Sequence, residues 1–454
     1  MEAVTQTNPL GHQSIGKLMV KYSVPAIISL VVNSLYNIVD QIFIGQGVGF
    51  LGNAATTIIL PLTCMLMALT FMLGDGAAAH MSLKLGAGQP EQAARGVGNM
   101  ITWSIVVGFG LLVLCQLFME PLCNLFGATA DSLPYALDYG RIIVAGFPVG
   151  AICCAFGASL RADGRPQATM IGLLIGCITN IILDALFVMV FHWGVAGAAL
   201  ATILGQALNA VYFLFCAVRF RTIKLTRKDL VPSATVTKQI LSLGASSFIT
   251  QIAVVVVVTV LNNSFVHYGG LSKYGPDIPL AVTGIVSKVN QLVGGVAMGI
   301  ATGSQPIMGY NYGAKQYDRV KKTFQRLVLS GTIVIVCAWC VFQFAPEAIV
   351  ALFGQESELY MEFACKTFRI YLMMIFLLPF TTGSAIFFQA VGRPVPAAAL
   401  SLTRQILCLI PAALLFGALW GVEGLLYAGA FADFSSFLVA VITVKVCWKK
   451  IFAE

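Results

Sequence analysis

IGLLIGCITNIILDALFVMVF, residues 171–191, decides the fold. These twenty-one residues contain no Lys, Arg or Glu, and as a helix rising ~1.5 Å per residue they reach across the ~30 Å hydrocarbon layer of a bilayer. Their single charge is Asp184, and Asn180 precedes it by four residues. That spacing puts both on one helix face, a turn apart, where they can share a partner. An acid in the middle of an apolar span is costly, so one that is present marks a site facing a cavity.

The same signature extends outward. Residues 101–119, 198–218 and 327–344 are comparably apolar, and of 454 residues 58% are hydrophobic and 10% charged, with mean hydropathy +0.87. A soluble domain carries about 25% charged residues, so the chain is expected to be an all-α membrane protein. Turn signals and charges divide it into about twelve transmembrane helices, starting near residues 18, 54, 96, 138, 167, 194, 239, 279, 325, 366, 397 and 421. The polar N-terminal stretch to Gly16 has no feature of a cleaved signal. The 12 cysteines fall mostly in apolar segments, as at Cys64, Cys177, Cys216 and Cys408, and read as small buried hydrophobes; Cys337-x-x-Cys340 lacks the partner pair a metal site needs.

The net charge of +8 is a matter of topology, and no nucleic acid is expected as a partner. Alternate loops hold the basic residues: Lys84 and Arg95, Arg161 and Arg165, Arg219 through Lys238, Lys315 through Arg326, Arg393, and Lys449 with Lys450. The opposite loops hold Glu120, Asp131, Glu347, Glu356, Glu358 and Glu362. By the positive-inside rule the basic loops and both termini are cytoplasmic, in a multi-pass protein of the plasma (inner) membrane.

The chain also repeats itself. Leu85-Gly86-Ala87-Gly88-Gln89 returns as Tyr312-Gly313-Ala314-Lys315-Gln316, Leu125-Phe126-Gly127 as Leu352-Phe353-Gly354, Gly164-Arg165-Pro166 as Gly392-Arg393-Pro394, and Gly194-Val195-Ala196-Gly197 as Gly421-Val422-Glu423-Gly424. The offset is 227 residues in three cases and 228 in the Gly-Arg-Pro pair. The expected plan is a six-helix lobe over residues 1–218, a basic cytoplasmic linker over 219–238 and a second lobe over 239–454. An even number of spans in each half makes the repeats parallel, with a central cleft between them.

Counting ~1.5 Å per residue puts Asp40 about 8 Å below the outer end of its span and Asp184 about 12 Å below His192. Thr202 lies at a similar depth in span 6, so Asp40, Asn180, Asp184 and Thr202 form one layer in the outer half of the first lobe. Two carboxylates sharing such a site cannot both ionise cheaply, which is the property a proton-coupling site needs. The second lobe carries Cys408, Ala412 and Gly429 where the first has Asn180, Asp184 and Thr202. Scaffold requirements alone would favour polar residues in both halves; a purely structural bridge between helices is the competing reading.

Pro25 removes a backbone hydrogen bond in span 1 and is a candidate hinge, with a static kink as the alternative. Asp75, between Gly74 and Gly76, reads as a helix break. Asn33, Tyr36, Asn37, Gln251, Gln291 and Gln305 are candidates to line the cavity, as are Tyr310 and Asn311 near the end of span 8. Lys288 and Arg404 either snorkel to an interface or touch the cavity, and His80, His192 and His267 read as structural or interfacial. H-E-x-x-H, G-x-S-x-G and paired-aspartate motifs are absent from the sequence, so no enzyme is expected.

Tyr36-Asn37-Ile38-Val39-Asp40-Gln41-Ile42-Phe43-Ile44-Gly45, Asn180-Ile181-Ile182-Leu183-Asp184, and Gly303-Ser304-Gln305-Pro306 followed by Tyr310-Asn311-Tyr312-Gly313-Ala314 resemble hallmark segments of the multidrug and toxic compound extrusion (MATE) transporters. The resemblance covers essentially the whole chain. It implies a secondary-active antiporter of the multidrug/oligosaccharidyl-lipid/polysaccharide exporter superfamily, exchanging an organic, cationic substrate for H⁺ by alternating access. It also implies that Asp40, Asp184, Asn180 and Thr202 form the cation-coupling network, and that Pro25 accompanies bending of span 1. Another branch keeps its acids on spans 7 and 10; here 239–267 and 366–390 contain none, which favours H⁺ in the first lobe, with Na⁺ at Asp40 and Asp184 as the alternative. No cofactor beyond the coupling ion is expected, and the partners are a small organic molecule and the lipid bilayer, with the chain a monomer. A lipid-linked precursor flippase of the same superfamily is the alternative function, disfavoured because the first lobe offers carboxylates where a phosphate-bearing substrate would need cations.

Overall fold

The protein, a computed structural model, is described over residues 9–275, 277–351 and 358–452. Ten helices among these are long and apolar enough to cross a membrane, and a bent pair, Leu133–Ala145 with Phe147–Ala162, supplies another at a break of 54°. One of the ten, Pro394–Phe452, runs 59 residues, which at ~1.5 Å per residue is about 88 Å and far exceeds one crossing. Gly421, with φ 65° and ψ −147°, divides it, and Gly424 then packs back against the carbonyl of Phe416. Twelve spans result, as expected.

Spans 1 to 3 are Ile15–Gly47, Phe50–Gly86 and Pro90–Leu117. Span 4 is the bent pair, span 5 is Pro166–Asp184 continued by the π-helix Ala185–Val190, and span 6 is Gly194–Ala217. Spans 7 to 9 are Ala234–Gly270, Asp277–Gly313 and Tyr317–Phe344. Span 10 joins Glu358–Tyr371 to Leu378–Ala390, span 11 begins at Pro394 and passes through the π-helix Thr403–Leu409, and span 12 runs from Gly421 to Phe452.

The internal repeat reappears in the backbone. Gly164 and Gly392 take φ of 83° and 76°, Gly194 and Gly421 take 60° and 65°, and Gly88 with φ 71° is matched by Lys315 at 59°. The turn geometry is thus kept even where a lysine must adopt a left-handed conformation, at ~1–2 kcal/mol of strain. Gly127 has φ 92°; its counterpart segment Leu352-Phe353-Gly354, with Glu356, lies outside the described residues.

Between spans 6 and 7 the chain is tied to the first lobe. Asp163 accepts hydrogen bonds from the N–H groups of Arg221 and Thr222 and from the Thr222 hydroxyl, at 2.7–3.1 Å. Asn99 donates to the carbonyls of Asp229 and Val231 and accepts from the Ser233 N–H. The short N-terminal helix Pro9–His12 instead reaches the second lobe, where Asn311 donates to the Leu10 carbonyl at 3.0 Å and Arg319 to the Gln13 carbonyl at 2.7 Å.

The lobes lock together along their basic halves. A methyl group at Gly76 would collide with the Ile240 carbonyl, one at Gly244 with that of Met72, one at Gly86 with that of Tyr310 and one at Gly313 with that of Leu83. Spans 1 and 8 meet in the same way, with Gly299 against Ile27 and Gly303 against Ser23. Beyond these crossings the packing loosens: a methyl at Gly284 or Gly294 would meet nothing within 4 Å. Asn33, Asn37 and Gln291 are exposed there.

This arrangement corrects three expectations. Gly74-Asp75-Gly76 does not break a helix, since span 2 runs through it unbroken. The two glycines serve close approach instead, Gly74 to Ala155 and Gly76 to Ile240, and the Asp75 carboxylate accepts a hydrogen bond from Ser247 across the lobe boundary at 2.8 Å. Gln305, Tyr310 and Asn311 do not line a cavity but are buried. Gln305 donates to Gln389, which in turn donates to Ser247 and to the Leu243 carbonyl. Span 10 begins before residue 366, so Glu358 and Glu362 belong to its acidic end, where Glu362 meets Lys273 at 2.9 Å and Lys366 at 3.1 Å. The helix-one proline is accommodated without interruption, and Ser29 donates to the Pro25 carbonyl at 2.7 Å.

If the glycine crossings hold the lobes, Gly244→Ala should lower stability by ~1–3 kcal/mol through overpacking, whereas Gly110→Ala, at a helical site with nothing within 4 Å, should be neutral or stabilising. Thermal unfolding in lipid nanodiscs measures both, and equal shifts would remove the crossing from the account.

Candidate cation-coupling site

Asp40, Asn180 and Asp184 are 8%, 2% and 0% exposed. The sequence brings them together through small residues. Gly205 on span 6 lies against the Gly176 carbonyl and the Asn180 Cβ, at 2.6 and 3.2 Å from where its own Cβ would stand. Gly47 lets the end of span 1 settle on Val188 of the π-helix. That π-helix begins at Ala185, immediately after Asp184; such insertions widen a helix locally and recur at functional sites.

The result is one layer containing all four expected residues. The Asn180 amide donates to the Thr202 hydroxyl at 3.3 Å. The Asp40 and Asp184 carboxyls lie beside each other in this layer. Among the described residues no protein group donates to Asp40 Oδ1, to either oxygen of Asp184 or to Asn180 Oδ1. Four buried acceptors in this layer therefore have no protein donor among the described residues.

Two tyrosines complete the walls. Tyr36, expected to line the cavity, lies one turn before Asp40 on span 1, beside Asp184 and Cys177 and within reach of the Thr202 hydroxyl. Tyr139, from span 4, stands beside Asp40, Asp184 and Tyr36. Tyr139 escaped the sequence reading because it sits close to the start of its helix, where a tyrosine is common at a membrane interface.

Other expected cavity residues are distributed differently. Asn37 donates to the Asn33 carbonyl at 2.6 Å, and both stay exposed on span 1 above the lobe crossing. Gln251 is half-buried on span 7, one turn beyond Ser247, and Gln291 is exposed on span 8. In the second lobe the counterparts of the site are apolar or small: Cys408, a buried Ala412, and Gly429 packed on Tyr371. That lobe does hold one interior ion pair, Arg404 with Asp433 at 2.8 Å.

Comparisons with known proteins cover both lobes. The MatE family matches residues 25–186 and 247–415, one match in each lobe. The chain is 26% identical to the multidrug export protein MepA of Staphylococcus haemolyticus over 431 residues, covering 93% of this chain and 91% of that protein. It is likewise 26% identical to MepA of Staphylococcus aureus over 438 residues, covering 94% and 93%. A solved structure described as an outward-facing conformation of a multidrug resistance MATE family transporter superposes over 100% of both chains with TM-score 0.91 and 21% identity. With the family signature in each half and relatives spanning almost its whole length, this polytopic membrane protein belongs to the MATE family of multidrug transporters.

Proposed function

We propose that the protein is a secondary-active antiporter that exports an organic, cationic substrate in exchange for H⁺, from the cytoplasm across the plasma membrane. The observation that carries this reading is the shortage of donors around Asp40 and Asp184. A proton placed between the two carboxyls gives one of them a donor and removes one of two adjacent charges in a low-dielectric site. Loss of that proton restores two facing anions, so occupancy of the site and its geometry are bound together. Both carboxyls belong to helices that also shape the lobe, Asp40 to span 1 and Asp184 to span 5. Span 1 crosses to the second lobe at Ser23 and Ile27, and the helical hydrogen bond missing at Pro25 lies at that crossing, on the same helix as Asp40. This is the route by which protonation would bias span 1 and hence the lobe boundary, with Pro25 as the hinge.

The basic end is assigned to the cytoplasm by its charge, so the lobes are closed towards the cytoplasm and parted towards the outside. Protons then load from outside while substrate leaves, and reclosure presents the cleft to the cytoplasm. One chain contains both lobes and the entire cleft, which suits a monomer. Na⁺ is the less favoured coupling ion, because spans 7 and 10 offer no acid in their membrane interior and the first-lobe site supplies only two carboxylates.

In proteoliposomes with an imposed pH gradient, Asp40→Asn and Asp184→Asn should each abolish proton-driven efflux of a fluorescent cation, and unchanged efflux in both would sink the proton role. Thr202→Val, which removes the acceptor of the Asn180 amide, should cost ~1 kcal/mol in positioning and shift the pH profile of efflux without abolishing transport. Collapse of efflux by a protonophore, with no response to a sodium ionophore, is the expected ion dependence; the opposite pattern would assign the site to Na⁺.

A further inference from the structure

The interior ion pair of the second lobe is not a random departure from the repeat. Arg404 lies in the π-helix Thr403–Leu409 of span 11 and donates through Nε to Asp433 Oδ1 of span 12 at 2.8 Å. Tyr371 of span 10 packs against Gly429, one turn from Asp433, and its phenol lies in the field of both charges. Arg404 stands four residues before Cys408, the counterpart of Asn180, and Asp433 four after Gly429, the counterpart of Thr202. Tyr371 stands five after Lys366, which is the counterpart of Tyr139 at the same 227-residue offset. Given the direction in which each span runs, all three displacements point towards the basic end. The second lobe therefore rebuilds the polar layer of the first between equivalent spans, about one turn deeper and with different chemistry.

That chemistry is the reverse of the first lobe's. A guanidinium offers five N–H donors in a planar fork. Asp433 takes one of them from the Nε edge, and among the described residues no protein acceptor is bonded to Nη1 or Nη2. The Asp433 side chain is 3% exposed and that of Arg404 22%, so the anchored carboxylate is sealed while part of the Arg404 side chain stays accessible. An Nη1–Nη2 edge matches a carboxylate in bidentate geometry. Because Asp433 balances the charge of Arg404, the pair supplies donors without a net positive field. A lone anion would gain little there, whereas a molecule carrying its own cation would be accepted.

We propose that Arg404 is the receptor for the carboxylate of zwitterionic organic substrates, held in orientation by Asp433 and flanked by Tyr371. This extends the export reading above to a substrate class, and its test is a binding measurement independent of transport. The probes are a carboxylate-bearing tetramethylrhodamine and its methyl ester, which share one xanthylium cation and differ only in the anionic group. Fluorescence anisotropy with purified protein in phosphatidylcholine nanodiscs should show preference for the carboxylate form. The ratio of the two affinities should fall ~10-fold in Arg404→Gln, the scale of a lost charge-assisted bond, and partly recover in Arg404→Lys. The double variant Arg404→Gln/Asp433→Asn, which leaves no buried charge unpaired, guards against misfolding and should lose the preference equally. An unchanged ratio in the double variant overturns the proposal. So does a preference that vanishes in wild-type protein when phosphatidylglycerol is added, because the occupant would then be a lipid phosphate. Intact carboxylate preference in a protein that shows no proton-driven efflux would count against the export reading alone.

Discussion

Asp40 and Asp184 are buried beside one another in a helix bundle that supplies neither with a full set of donors, and much of the first lobe follows from that pairing. Carboxylates are tolerated inside a membrane only where something compensates their charge. Here the compensation is divided between spans. Gly205 and Gly176 bring span 6 close enough for Thr202 to receive the Asn180 amide, while the bend in span 4 adds Tyr139. The π-helix after Asp184 carries Val188, on which Gly47 closes from span 1. What remains uncompensated is the set of acceptors that a mobile cation would satisfy.

The lobe boundary obeys a different rule. Its crossings are made by glycines facing backbone atoms, a packing that demands close approach and tolerates no side chain. The polar groups on it are matched almost completely: Asp75 with Ser247, Ser247 with Gln389, Gln389 with Gln305. Matched polar groups at a boundary hold register without holding it permanently, since each bond can be exchanged for one to water as the surfaces separate.

How much of this was legible in the sequence depends on whether the information is local. Span number, repeat and turns were readable because hydropathy and glycine spacing are local, and the recurring positive φ at Gly194 and Gly421 shows the same turn twice. The layer of Asp40, Asn180, Asp184 and Thr202 was readable because depth along a helix follows from residue count. Rotation about the helix axis does not follow from depth, which is why Gln305 and Asn311 were placed in a cavity and proved to be buried. Nor does a Gly-Asp-Gly triplet distinguish a break from a crossing. Only the neighbouring helix does, and Ile240 is 164 residues away in sequence from Gly76.

Duplication explains why the two lobes can differ so far in chemistry while keeping their backbone. A six-span unit needs its turns and its small-residue contacts to pack, and those are the features both halves retain. The interior layer is free of that demand. In the first lobe it holds acceptors without donors, around Asp40 and Asp184; in the second it holds a guanidinium with donors to spare, anchored by Asp433 one turn deeper. Interior layers with opposite deficits suit molecules with separated charges, the substrate class proposed for Arg404.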